Sequence, residues 1–345
     1  MRTTRLILIF LFSVMASAAL AQGTAPVALV LDSSEADQAL AILAKNKNHE
    51  TITDSDWQTL FSTPPYVALK AREQSIGRPF TDQAFKEFLL SPAAQEQEPA
   101  WRNTLATMKA SDMTALGKGV LAWLPPGASI HAKVFPEIKP IHNSFVWKSP
   151  SEGQAIFLYV EPQTNAKFEN TVAHECHHIG LASVTDQDNS ADAKLSPTVR
   201  TAIEWMTGFG EGEAMLAAAG STELHPHWED DALARARWDG DMMHFNTDLA
   251  NLQQFFLDIL DGKLSDEQAI RQRAAPFWGT VQGPMYTVGY EMAVLVEKRF
   301  GRERYLECLK DPRLLLELYN QVAAEADAKG TTLATWSPAF LARLR

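Results

Sequence analysis

His174-Glu175-Cys176-His177-His178 contains the pattern H-E-x-x-H, with His174 and His178 four residues apart and Glu175 beside the first. On an α-helix each residue turns about 100°, so positions 174 and 178 lie about 40° apart on one face, one turn above the other. Two imidazoles placed that way reach a single metal ion together. Glu175 projects about 100° round from His174, too far to be a close ligand and near enough to hold a water beside the ion. A zinc-type Lewis acid with a general base next to it is therefore the chemistry this run predicts. Cys176 points to the opposite side of the helix, where it is expected in the core as a small apolar residue. His177 points about 80° from the midpoint of the pair and is read as a packed neighbour rather than a ligand.

Working outward, the motif predicts a helix over residues 166–181. Ahead of it lie short β-type runs at 131–135, 145–148 and 155–160, set among Pro125, Pro126, Pro136, Pro140, Pro150 and Pro162. A short sheet followed by the histidine helix is the order a zinc-peptidase fold requires. Further upstream, helical periodicity covers residues 34–45, 54–74 with a break at Pro64-Pro65, 81–90 behind a Thr cap, and 101–109. Downstream the chain reads as helical almost to its end. The expected fold is mainly α, of α+β type, with a short central sheet beside the motif helix. The expected organisation is residues 1–21 as an export signal, 22–128 as a helical N-terminal portion and 129–345 as the catalytic region, the last two forming one continuous unit.

A catalytic zinc takes three protein ligands and keeps a fourth position open. The longer pattern H-E-x-x-H-x-x-G-x-x-H is excluded, because Val184 stands where its third histidine would be. A glutamate on a second helix is the alternative. Ser196-Pro197 opens such a helix with a cap and an N1 proline, running through Glu211-Gly-Glu-Ala214 to Ala219. Glu211 and Glu213 point about 200° apart, so only one of them faces the metal. Glu211 is favoured, because the small Ala214 shares its face and permits close approach to the histidine helix. Gly208, Gly210 and Gly212 either mark a place where backbones come close or form a loop between two helices.

With these elements in place, the chain resembles the glutamate-type zincins (gluzincins). More narrowly, it resembles a bacterial group designated zinc-dependent peptidases and otherwise catalogued as a domain of unknown function. The resemblance rests on Thr171-Val-Ala-His-Glu-Cys-His-His-Ile179, Gly210-Glu-Gly-Glu-Ala214, Tyr286-Thr-Val-Gly-Tyr-Glu-Met-Ala293 and Glu297-Lys-Arg-Phe-Gly301, and covers roughly the second half of the chain. It implies a zincin-like fold, His174, His178 and Glu211 as ligands of one catalytic zinc, Glu175 as base, and a peptide or protein as substrate. Where many glutamate zincins carry an aspartate four residues after the ligand glutamate, Met215 stands here. Support for the ligand histidines is then expected from Asp186, Asp188 or Asp192.

The helix opened by Gly283-Pro284 carries Tyr286 and Tyr290 on one face. Tyr286, in its first turn, is a candidate donor to the oxyanion formed when water attacks a carbonyl. Packing of both rings into an amphipathic core helix is the competing reading. His225 and His227, flanking Pro226, read as a surface turn, with metal binding or the lining of a substrate cleft as the alternative.

The N-terminus has the form of a secretory signal: Arg2 and Arg5, an apolar run from Leu6 to Val14 broken only by Ser13, then Ala19-Leu20-Ala21. A periplasmic or secreted protein beginning near Gln22 is expected, with no membrane span. The 345-residue chain carries 31 basic and 42 acidic residues, a net charge of −11. Without Arg2 and Arg5 the balance is 29 against 42, or −13, which disfavours nucleic acid as a partner. Two cysteines cannot form a disulfide framework. The functional expectation is an exported zinc peptidase. The alternative from another class is a catalytically inactive zinc-binding scaffold or an envelope binding protein.

Overall fold

The computed structural model describes residues 25–162, 167–185, 194–279, 282–330 and 332–345. The export signal, residue 166 and Asp186, Asp188 and Asp192 lie outside the described residues.

The chain opens with strand β1 (Val27–Leu31) and six helices: α1 (Ser34–Lys47), α2 (Asp54–Phe61), α3 (Pro64–Ser75), α4 (Asp82–Leu89), α5 (Pro92–Ala110) and α6 (Met113–Leu121). Local chemistry sets their boundaries. Thr53 and Asp56 form a reciprocal capping box at the start of α2. Pro64-Pro65 then separates α2 from α3, since proline fits the first turn of a helix at least cost. The Thr81 hydroxyl accepts the Ala84 N–H at 3.1 Å and caps α4. Helix α5 extends nine residues upstream of its expected start at residue 101. Ser91 caps it, Pro92 occupies its first turn, and it runs on through Pro99.

Strands β2 (Ile130–Glu137), β3 (Phe145–Ser149) and β4 (Gly153–Tyr159) complete a four-stranded sheet in the order β1-β2-β4-β3. β1 and β4 both pair parallel with β2, while β3 runs antiparallel at the edge. Strand β1 corrects the expectation of an N-terminal portion built of helices only. Its five residues, half-exposed in alternation, give too short a pattern to separate from the apolar run before them.

Period-two alternation divides the sheet's side chains between two layers. Ile130, Val134, Ile156 and Leu158 face a core shared with Phe168, Val172, Cys176 and Ile179 of helix α7 (Lys167–Thr185). Phe135, Ala155 and Phe157 face the opposite way, onto Ala68 and Leu69 of α3. Cys176 is fully buried, as its place on the motif helix requires, and both cysteines are free thiols.

The rest of the chain is helical: α8 (Pro197–Met206), α9 (Gly210–Ala219), α10 (Ala232–Met242), α11 (Phe245–Leu260), α12 (Glu267–Trp278), α13 (Pro284–Phe300), α14 (Arg302–Cys308), α15 (Pro312–Asp327) and α16 (Pro338–Arg343). They enclose a second apolar core that includes Phe255, Phe256, Val288, Tyr319 and Trp336. The helix expected to run unbroken from Pro197 to Ala219 is interrupted by one 3₁₀ turn, Thr207–Phe209, between α8 and α9. This is neither a continuous α-helix nor a loop: Thr207, Phe209 and Gly210 all keep right-handed helical backbone angles. The fold is mainly α, of α+β type, as the patterning predicted.

Gly212 and Gly289 set the crossing of α9 and α13. A Cβ on Gly212 would lie 2.1 Å from the Tyr290 nitrogen and 2.3 Å from the Tyr286 carbonyl oxygen. One on Gly289 would lie 2.5 Å from the Phe209 oxygen. Backbone cannot yield as a flexible side chain does, so Gly212→Ala is expected to cost about 3 kcal/mol, the upper end of overpacking penalties. Gly210→Ala meets nothing nearer than a Glu213 carboxylate oxygen at 3.8 Å. It should gain up to about 1 kcal/mol from helix propensity. Urea unfolding midpoints of the two variants, moving in opposite directions, would check the pair.

Candidate metal centre

Helix α7 presents His174 and His178 one turn apart, and α9 packs against it carrying Glu211 in its first turn. Three donor atoms converge. The two Nε2 atoms stand 3.0 Å apart, and Glu211 Oε2 lies 3.1 Å from His174 Nε2 and 3.4 Å from His178 Nε2. Zinc bonds of about 2.0–2.1 Å in a tetrahedron set ligand atoms about 3.3 Å apart. The observed triangle thus fits one face of a zinc tetrahedron, and its two nitrogens and one carboxylate oxygen are donors zinc accepts. The side chains of His174, His178 and Glu211 keep 13%, 29% and 23% of their surface exposed, so the donor group is reachable from outside. This is the one group of three or more metal-type donors among the described residues.

The electrostatics follow from the crowding. Burial works against Glu211's charge, but hydrogen bonds to His174 and His178, with their positive charge, outweigh it and hold the carboxyl far below its usual range. Burial likewise opposes the imidazolium form of His178, yet the hydrogen bond and charge of Glu211 raise its pKa. Glu175 lies outside the converging triangle and is nearly buried. Loss of hydration raises its pKa, partly opposed by His174 and His178 and reinforced by Glu211. A carboxylate with raised basicity beside the triangle suits proton transfer.

Glu213 is turned away from this group. It is 5% exposed, and burial raises its carboxyl to about 7, with His178 opposing the shift. A raised folded pKa means the protonated form is favoured by folding. The resulting stability is fully present below about 4.5 and is lost as pH rises through about 7. Glu213→Gln should abolish this loss, making the metal-free variant more stable than the parent at pH 8 by on the order of 3 kcal/mol and similar to it at pH 4. Urea unfolding at the two pH values would check the sign.

Of the two tyrosines on α13, Tyr286 joins the centre. Its ring stacks near-parallel to His174 at 6.5 Å, and burial, with the nearby charges of Glu211 and Glu175, pushes its phenol well above the ordinary value. Tyr290 donates to the Leu224 carbonyl at 3.3 Å and packs edge-on against Trp238. His177 is fully buried, and neither ring nitrogen has a hydrogen-bond partner among the described residues. Burial holds it neutral, its pKa well below the usual range. Met215 is buried and its sulfur accepts from the Gln282 amide at 3.5 Å.

The surface-turn reading of the two later histidines holds for His225, which reaches the exposed Asp239 at 3.2 Å. It fails for His227. That imidazole is largely buried, donates Nδ1–H to Asp230 at 2.5 Å, and lines a 180 Å³ cavity with His174 and Tyr286. The available signal was Asp230, three residues after His227 in a proline turn. What brings the pair to the centre is tertiary packing.

The fold and the centre together define a mainly α protein with a candidate metal site made of two histidines and a glutamate. The chain belongs to the family described as "Putative zinc dependent peptidase (DUF5700)", whose model matches residues 57–328. No curated protein and no solved structure shows a significant match.

Proposed function

We propose that this protein is an exported zinc peptidase of the glutamate-zincin type, with one catalytic ion held by His174, His178 and Glu211. The observation that carries this reading is the triangle of donors, with Glu175 next to it, in a chain whose family is designated zinc dependent. Zinc bound there supplies Lewis acidity at the substrate carbonyl and brings the pKa of water from 15.7 to about 7. Glu175 takes the proton from the attacking water and returns it to the leaving amine nitrogen. The Tyr286 hydroxyl, kept protonated by its raised pKa, donates to the carbonyl oxygen as negative charge builds on it. Intact Glu175, and three converging donors rather than four among the described residues, argue against a purely structural site, which four protein ligands would close.

Export rests on the Arg2-to-Ala21 pattern, and among the described residues no helix is long and apolar enough to cross a membrane. N-terminal sequencing of protein recovered outside the cytoplasm should begin near Gln22. The activity is tested by metal analysis followed by digestion of a broad peptide library. One zinc per chain and new peptide termini, both removed by a chelator, are expected; stoichiometric zinc with an untouched library would refute the enzymatic reading.

A further inference from the structure

The donor triangle lies where two cavities approach each other. On the His178 and Glu211 side is a space of 640 Å³ walled by Trp205 and Trp278. On the other side, the 180 Å³ cavity touching His174 and Tyr286 shares Lys167, His227, Asp230 and Gln282 with a neighbour of 310 Å³. That neighbour shares Arg237, Asp241 and Gln282 with a groove of 700 Å³. The centre therefore has space on both of its sides, and the spaces on the His174 side adjoin one another through shared walls.

An enzyme that trims chain ends anchors the terminal amine or carboxylate with an unpaired opposite charge that closes the cleft. Among the described residues, the charges of the cavity beside His174 are already matched to one another. Asp230, the one carboxylate lining the 180 Å³ cavity among the described residues, holds His227 and also lies 3.4 Å from Lys167. In the 640 Å³ cavity Glu267 pairs with Arg271, and Glu204 is exposed at the surface.

Resting on the peptidase reading, we infer that the enzyme is an endopeptidase acting on extended polypeptide, with the chain occupying both sides of the centre. The zinc-loaded protein would be offered twelve-residue peptides acetylated and amidated at their ends, the same peptides with free ends, and free tripeptides. Blocked peptides should be cut internally with kcat/KM within about 3-fold of the free-ended ones, and tripeptides at least about 10-fold more slowly. Cleavage confined to one or two residues from a free end overturns the inference and leaves the peptidase reading standing. No cleavage of any peptide by zinc-loaded protein defeats that underlying reading instead.

Discussion

Glu175→Gln is expected to lower peptide hydrolysis by at least about 10²- to 10⁴-fold, the range general-base catalysis supplies, while one zinc per chain is retained. The substitution preserves shape and removes only the ability to take a proton. Glu175 contributes no atom to the donor triangle, so metal affinity has no reason to change. Its raised pKa carries the same implication from another direction: the native site makes this carboxyl more basic than an exposed one, and an amide has no corresponding basicity. Single-turnover rates on a library-derived substrate, with zinc measured on the same preparation, separate the two quantities. A variant that keeps full activity would take the base role away from Glu175, and one that loses both activity and zinc would show the site had been disrupted.

The second large effect concerns the metal itself. Glu211→Ala should weaken zinc binding by more than about 100-fold, exceeding what loss of an outer-sphere partner costs, whereas Glu213→Ala should keep stoichiometric zinc. The two residues stand on one short helix with similar composition around them, and geometry distinguishes them. Glu211 Oε2 is within 3.4 Å of both imidazole nitrogens, while Glu213 is buried elsewhere with its carboxyl raised to about 7. Competition with a chromophoric chelator reads the difference. Zinc retained in Glu211→Ala and lost in Glu213→Ala would transfer the ligand role.

The placement of Glu211 was legible before any coordinates because helical geometry is periodic. Residues 174 and 178 had to share a face, and 211 and 213 could not both point one way. Strands β2, β3 and β4 were equally visible, because β-rich runs between prolines have few other solutions. The misses have physical causes of their own. Strand β1 is too short to announce itself and depends on its pairing with β2. The continuation of α5 through Pro99 goes against the local rule that proline ends a helix. His227 reads as a turn residue because the cavity it lines is built from segments up to 60 positions away in sequence. Of the glycines around Glu211, Gly212 marks close backbone approach, while Gly208 meets side chains and Gly210 has room. The helix that Gly212 and Gly289 bring together is α13, however, rather than the histidine helix.

That crossing constrains how the protein can change. Glu211 and Tyr286 reach the same point from two helices that touch backbone to backbone, with no side-chain layer between them to compress or re-pack. Ordinary helix pairs adjust by exchanging rotamers; this pair has lost that slack and behaves as one rigid block. The separation of the two backbones that carry carboxylate and phenol is consequently set by main chain, and substitutions elsewhere on α9 or α13 that keep the glycines leave it in place. Variation in what this centre meets is then left to the surrounding walls, such as Trp205, Trp278 and Arg237.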